Sequence, residues 1–499
     1  MSELCSTTDL RNNTMSNPLI MNDMKKIYIM MMLVLTGTMA LAQTSVWHGG
    51  RAVWTRGSGT ENDPFLIESA DNLAYLAYVV NKYYDTEGLY FRLTTDIDLN
   101  GSEDLQWIPI GVGDKRFNFS EDGCERGWPS YGNFYDGAYP IFRGHFDGGE
   151  HSISNIYIND ENRSYLGLFG NVRGGNEEKT AVIENVFVIS GYIRGNGSCG
   201  GIVGTTADSV LVSRCWSGVV LECGGGMRNG VGGIVGQNQN PSRTLHIQNC
   251  YNIGSVSAYI AGGILGGGGA EIEECYNKGD ITGTFAGGVF GGDSQARIII
   301  NNCYNTGNVD ADGVVPGSYP AGPAAGGIAG AALMGNQTVI MTNCYNVGNV
   351  SSTKNIGCIM AYARDGVFEN NYYINTCDAG GEGTPQTEDY MRTQAFVDCL
   401  NGGNREPIWA MDVNHTNDGF PILTSIDLTV PEITDASFNV YPNPAQGRFT
   451  VEGTGRMTVS NLLGQVVLVK EINGQTTVAL PRGMYFVKLG NETQKIVVE

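Results

Sequence analysis

The sequence predicts a mainly β molecule: a right-handed parallel β-helix, or solenoid, with a helix-containing cap at its N-terminal end and an Ig-like β-sandwich behind it. Three observations predict this. A glycine-rich phrase recurs as LGLFG at 166–170, GGIVG at 200–204 and 232–236, GGILG at 262–266, GGVFG at 287–291 and GGIAG at 326–330, with a degraded IGCIM at 356–360. It alternates with a second phrase, typified by INNCYNTGNV, whose cysteine position is filled in turn by Ile156, Val186, Cys215, Cys250, Cys275, Cys303, Cys344 and Asn371. Residues 437–499 lack both phrases and read instead as short alternating strands joined by turn residues.

Composition narrows the class. The chain has 71 glycines among 499 residues but only 16 prolines and 16% charged residues, which fits neither disorder nor collagen. A net charge of −21 with no offsetting basic stripe repels nucleic acid and anionic membranes. A nucleic-acid partner is therefore excluded.

From the N-terminus, residues 1–23 are polar and read as a gene-start extension. Residues 24–42 have the Lys25-Lys26 charge, the apolar run Ile27–Leu35 and the Ala40-Leu41-Ala42 site of a secretory signal peptide, with cleavage expected between Ala42 and Gln43. The apolar run is too short to span a bilayer, which takes roughly 20 residues. Residues 43–150 form the expected cap. Ser69 is placed to cap a helix in which Leu73, Leu76, Ala77 and Val80 recur at helical spacing, and strand-like YFRLTTDIDL follows.

Residues 151–375 are the expected solenoid. The cysteine lies 12 residues before the next glycine phrase after Cys250, Cys275 and Cys344, but 17 after Cys215 and 23 after Cys303. A fixed rung with inserts on one side, such as Asp310–Ala325, is solenoid behaviour. The shortest period, 25 residues, fits three short strands: Gly-Gly opening one, I-x-N-C-Y making the second and G-x-V the third. Asn305 and Gly307 suit left-handed corners between them. Eight rungs at about 4.8 Å make a rod of roughly 40 Å. Residues 376–425, with TEDYMRTQAFVDCLN as a short helix, form the C-terminal cap, and 426–436 the linker.

Five cysteines stacked in one column cannot all pair, and the same position takes Ile, Val and Asn elsewhere. They read as small buried hydrophobes, with Asn249, Asn302 and Asn343 beside them as a hydrogen-bonded ladder. Cys215–Cys223 and Cys377–Cys399 stay open as occasional bridges.

Few chemical motifs emerge. No HExxH, C-x-x-C, G-x-S-x-G or Walker A sequence is present, so catalytic residues are expected to be none. Asp96–Gly101 starts like a calcium loop but has Trp107 where a bidentate Glu is needed; a strand ending in an Asn-Gly turn is the preferred reading. Asp412, Asn414, Thr416 and Asp418 have a looser oxygen-ligand spacing, which keeps calcium as the one candidate cofactor. Glu271, Glu273, Glu274, Asp280, Asp293, Asp310 and Asp312 could form the carboxylate pair of a polysaccharide-degrading β-helix, although such groups usually decorate a solvated surface. The aromatic row Trp216, Tyr251, Tyr276, Tyr304, Tyr345 and Tyr372 is a ligand-binding ladder if it faces out and core if it faces in.

Two resemblances add to this. PFLIESADNLAYLAYVVN, LTTDIDLNG, WIPIG, FRGHFDGGEHSISNIYI and the GGIVG and NCYNxGxV units resemble GLUG-motif surface proteins, including the amino-terminal region of some immunoglobulin-A-cleaving metallopeptidases. That implies an adhesin architecture without supplying a ligand. Tyr441, Pro442-Asn443-Pro444 and Gly447, then Leu463-Gly464-Gln465, then Gly483 and Tyr485 match the type A sorting domain of type IX secretion substrates from Bacteroidetes. The resemblance implies export in two steps, recognition by the type IX machinery, cleavage of the tail within the linker and joining to surface lipopolysaccharide. The expected protein is a secreted, non-catalytic, adhesin-like surface protein with an unknown glycan or protein ligand. The alternative is a glycan-binding or polysaccharide-degrading β-helix.

Overall fold

The computed structural model describes residues 44–82, 84–112, 140–175, 179–224, 229–240, 245–292, 297–312, 322–332, 338–363, 365–402, 406–426, 439–441, 445, 447–461, 466–489 and 492–498. The gene-start extension, the signal peptide with Ala42 and Gln43, the linker after Ile426, and Pro442, Asn443, Pro444, Leu463, Gly464 and Gln465 lie outside the described residues.

The chain divides into two units, 1–423 and 424–499. The first is a parallel β-helix built on three sheets, of twenty, ten and seven strands among the described residues. In the repeat around Cys275, Ala270–Glu273 belongs to the ten-stranded sheet, Tyr276-Asn277 and Ile281–Gly287 to the twenty-stranded one, and Phe290–Gly292 to the seven-stranded one. Register is strict: Tyr251 pairs with Tyr276, Tyr276 with Tyr304 and Tyr304 with Tyr345, all in parallel.

The solenoid begins earlier than expected. Phe65–Ile67, Tyr90–Leu93 and His145–Asp147 are strands of the same ten-stranded sheet, and Ser45–Val46 and Ile97–Asp98 lie in the twenty-stranded one. Their alternation buries Ile67, Phe91, Leu93 and Phe146 in the core shared with the repeats. The capping element proper is α1 (Ala70–Asn81). The Ser69 side chain accepts the Asn72 N–H at 3.2 Å, satisfying one of the free donors of the first turn, and Leu73, Leu76, Ala77 and Val80 are buried.

The corners also fall elsewhere. Gly-Gly does not open a strand: Gly262 ends one, Gly263-Ile264 make the bend, and Leu265 starts the next. The two strands pass so closely that a Cβ on Gly262 would lie 2.1 Å from the Leu265 carbonyl oxygen. I-x-N-C-Y is split in two by a left-handed residue just before the cysteine, with φ of 55° at Asn249, 52° at Glu274, 52° at Asn302 and 54° at Asn343. Asn305 and Gly307 are not in that conformation; they are constrained by packing instead.

The cysteine column is buried, as its neighbours Ile156 and Val186 are. It is more than hydrophobic, however. The Cys250 Sγ accepts the Cys215 N–H at 3.4 Å and lies 3.2 Å from the Gln248 carbonyl, to which the thiol donates; Cys275 repeats the pattern toward Cys250 and Glu273. Asn371 continues it, its Oδ1 accepting the Cys344 N–H at 3.1 Å. Burial pushes the Cys215, Cys250, Cys275 and Cys303 thiols well up. The disulfide joins Cys358 to Cys377, whereas Cys215, Cys223 and Cys399 are free. Both pairings left open in the sequence are therefore replaced.

The second unit is one five-stranded antiparallel sheet around its own core of Phe449, Val451, Val459, Val487 and Ile496, among others. The long strand Arg448–Asn461 pairs with Asn439–Tyr441 and Val466–Ala479, and its end pairs with Gly483–Leu489. A bridge from Ala445 to Val498 brings the last strand back to the first turn.

Candidate functional site: the tyrosine face and its cap

Because residues alternate along a strand, Tyr276 and Asn277 point to opposite sides. The asparagines point inward. Asn252 donates to Asn277 Oδ1, Asn277 to Asn305 and Asn305 to Asn346, each at 2.8 Å, and each also donates to the carbonyl of the glycine two residues on. This is the hydrogen-bonded ladder, three residues beyond the asparagines expected to form it. Of the asparagines named for it, Asn343 takes part only in a single bond, accepting from Asn370 at 3.0 Å. The second glycine of each glycine phrase makes the room: a Cβ on Gly233, Gly263, Gly288 or Gly327 would lie 2.3, 2.4, 2.4 or 2.5 Å from the amide carbon of Asn252, Asn277, Asn305 or Asn346.

The aromatic residues point outward and stack. Ring centroids are 5.3 Å apart for Trp216–Tyr251, 4.7 Å for Tyr251–Tyr276, 4.7 Å for Tyr276–Tyr304 and 5.0 Å for Tyr304–Tyr345, all within 9° of parallel. Each ring face is thus covered by the next ring.

The row is not an open ladder. Tyr251, Tyr276, Tyr304 and Tyr345 are 7, 3, 1 and 0% exposed. They lie outside the interior core, and the C-terminal cap covers much of the row. The expected single cap helix is two: α2 (Glu388–Met391) and α3 (Gln394–Asn401), each started by a threonine, Thr387 and Thr393, that accepts a backbone N–H. Phe396 of α3 packs edge-on to Tyr345 and Tyr372, and Trp409 lies against Tyr304 and Tyr345. The Tyr345 hydroxyl donates to the Pro421 carbonyl at 2.6 Å and accepts from Asn417 Nδ2 at 2.9 Å. Burial pushes the Tyr276, Tyr304 and Tyr345 hydroxyls well up, so they stay protonated.

The loop considered for calcium is organised from within. Asp412 is 4% exposed. Its carboxylate accepts the backbone N–H groups of Thr416, Asn417 and Gly419 at 2.9, 2.6 and 3.0 Å. Burial alone would raise its pKa; these bonds outweigh it and hold the carboxyl below its ordinary value. Lys278, reaching over the Tyr276 ring, donates to the Thr416 carbonyl at 2.6 Å near Asp412 and Asp418. Burial lowers its pKa. Among the described residues no group of three or more His, Cys, Asp or Glu side chains could hold a metal ion. At the other loop considered, Asp98 accepts the Asn100 N–H at 2.7 Å, and Asn100 has a φ of 47°, a turn of the expected kind.

Four of the candidate carboxylates are engaged one by one with neighbouring rungs. Glu271 meets His246 at 3.2 Å, Glu273 accepts from Asn301, Asp280 from Asn308 and Asp310 from Ser351. Asp293 lies outside the described residues. In the tail, the Tyr485 hydroxyl donates back to the Pro481 carbonyl at 3.0 Å, a tie that fixes the entry to its strand. Tyr441 is 40% exposed and hydrogen-bonds Gln475, and Gly447 has a φ of 69°.

Sequence reasoning missed Trp409, Asn417 and the place of Lys278 over the tyrosine row, and placed the asparagine ladder three residues too early. A signal for the ladder existed, since the two phrases change together. Ser217 replaces the asparagine opposite Gly201, and in the last rung Tyr373 replaces it where Cys358 replaces the glycine.

Comparisons with known proteins give partial matches. A Gly-rich membrane protein, so named provisionally, from Evansella cellulosilytica is 32% identical over 157 residues, 31% of this chain and 14% of that one. Halomucin from Haloquadratum walsbyi is 30% identical over 185 residues, 37% of this chain and 2% of that one. The chain thus spans a small part of either relative. A crystal structure of a candidate immunoglobulin A1 protease from Bacteroides ovatus superposes with a TM-score of 0.45 at 20% identity, covering 74% of this chain and 95% of that one. Residues 439–499 match the secretion system C-terminal sorting domain. The protein carries the sorting tail of the type IX system, which sends it to the cell surface or the extracellular space.

Proposed function

We propose that this is a non-catalytic, adhesin-like interaction protein displayed on the outer surface of the cell. The sorting tail at 439–499 carries the reading, because it commits the chain to export and to contact with the type IX machinery. On this view the expected signal peptide at 24–42 takes the chain across the inner membrane. The tail is then removed within 426–436, and the remainder is joined to surface lipopolysaccharide. The solenoid offers its loops to a glycan or protein ligand. Supporting the non-catalytic part, Glu271, Glu273, Asp280 and Asp310 pair individually with His, Asn and Ser of adjacent rungs. The stacked rings also leave no free faces for sugar rings along the covered row.

Two measurements test this. Purified 43–436 should bind cells or extracellular matrix saturably, and it should release no product from a panel of acidic and neutral polysaccharides. Turnover of any of them would replace the adhesin reading with the polysaccharide-degrading one. Deleting 437–499 should hold the protein in the periplasm; surface display of the truncated chain would refute the sorting role.

A further inference from the structure

We propose that residues 376–423 are a side clamp on the last four rungs of the solenoid, which makes those rungs yield together rather than peel away one at a time. In a solenoid each rung touches only its neighbours, so an end under load or thermal fraying opens strand by strand. Here the chain leaves the last rung and turns back along the tyrosine face. Thr384–Gln386 first adds to Tyr372–Ile374 as a parallel strand. Phe396 then meets Tyr372 and Tyr345 at 5.2 and 6.0 Å, and Trp409 meets Tyr345 and Tyr304 at 5.5 and 6.0 Å. The Thr416 carbonyl holds Lys278 at 2.6 Å, one rung further back. One segment therefore grips the rungs of Tyr276, Tyr304, Tyr345 and Tyr372.

Two features close the clamp. Cys358 in the last glycine phrase is bonded to Cys377 at the start of the segment, across a separation of 19 residues. The Tyr345 hydroxyl ties the far end through Pro421 and Asn417. Ile422-Leu423, where the first unit ends, pairs antiparallel with Trp409-Ala410. By chain order, a pull from the tail reaches the clamp before it reaches any rung.

The buried cysteine column supplies the readout. Cys303 and Cys344 lie in gripped rungs, and Cys215 and Cys250 in ungripped ones. The purified protein is incubated in urea below its unfolding transition with a maleimide, and labelling at each cysteine is followed by peptide mass spectrometry. In the wild-type protein Cys344 and Cys303 should label no sooner than Cys215 and Cys250. Tyr345→Phe, and separately the Cys358→Ser/Cys377→Ser pair, should speed labelling of Cys344 and Cys303 about tenfold while leaving Cys215 and Cys250 unchanged. Early labelling of Cys344 in the wild type would overturn the proposal. So would equal acceleration of all four cysteines in the variants, or none. If the double serine variant does not fold, Tyr345→Phe decides alone.

Discussion

Asn277 makes four hydrogen bonds inside the rod: it donates to the Gly279 carbonyl and Asn305 Oδ1, and accepts from the Gly279 N–H and Asn252 Nδ2. No solvent replaces these partners, so Asn277→Ala strands buried polar groups on both sides. A loss of about 3 kcal/mol is expected, since each stranded group costs about 1–3 kcal/mol. It should be measured as a lower denaturant midpoint of the solenoid. Gly263→Ala should be worse, for a different reason: its Cβ would sit 2.1 Å from the Gly288 carbonyl oxygen as well as 2.4 Å from the Asn277 amide carbon. Trimming Asn277 to Ala in the same chain removes the amide carbon but keeps the Gly288 carbonyl oxygen, which is backbone, and the residue-277 Cβ at 2.6 Å. The double variant should therefore not recover. If it does, the glycine is required by the asparagine amide alone and the close approach of the Gly288 carbonyl and the residue-277 Cβ is unimportant.

At the scale of elements, the cap is held by Asp412, whose carboxyl sits below its ordinary value of 3.8 because of the N–H groups it accepts. A folded-state pKa below the unfolded one stabilises the fold fully above about 3.8, and that contribution is lost as pH falls through the folded value. Acid should therefore loosen the loop at 412–419 before the rungs. Hydrogen exchange across 406–423 should rise below pH about 3.8 while the repeats stay protected. Asp412→Asn should remove this acid response; an unchanged response in that variant would place the loosening elsewhere. The same elements show what the sequence could reveal. α1 and the repeat are written in local periodicity and capping residues, and both were legible. Where each strand starts was not, because the left-handed position can be filled by Glu274 as well as by asparagine. The covering of the tyrosine row was invisible for a physical reason. It depends on contacts such as Lys278–Thr416 and Tyr345–Pro421, separated by 138 and 76 residues and recorded in no repeating pattern.

At the scale of the molecule, the solenoid and the tail have separate cores, with no residue of the tail cluster in the solenoid cluster. The tail core closes on its own strands, through the pairing of Gly483–Leu489 with both Arg448–Asn461 and Glu492–Val498. A unit that completes its own sheet and core does not need the rod in order to fold. Its sorting signal should therefore be portable. Fused behind a reporter with a signal peptide, residues 424–499 should carry the reporter past the outer membrane in a host with a type IX system and leave it in the periplasm of a host without one. Tyr485→Ala removes both a side chain buried in that core and its tie to Pro481, a loss of about 3–5 kcal/mol for a large aromatic. That is enough to unfold so small a unit, so surface signal should fall while periplasmic reporter accumulates. Export of the reporter with Tyr485→Ala at the unmodified level would show that the machinery reads the tail as an extended peptide rather than as a folded sheet.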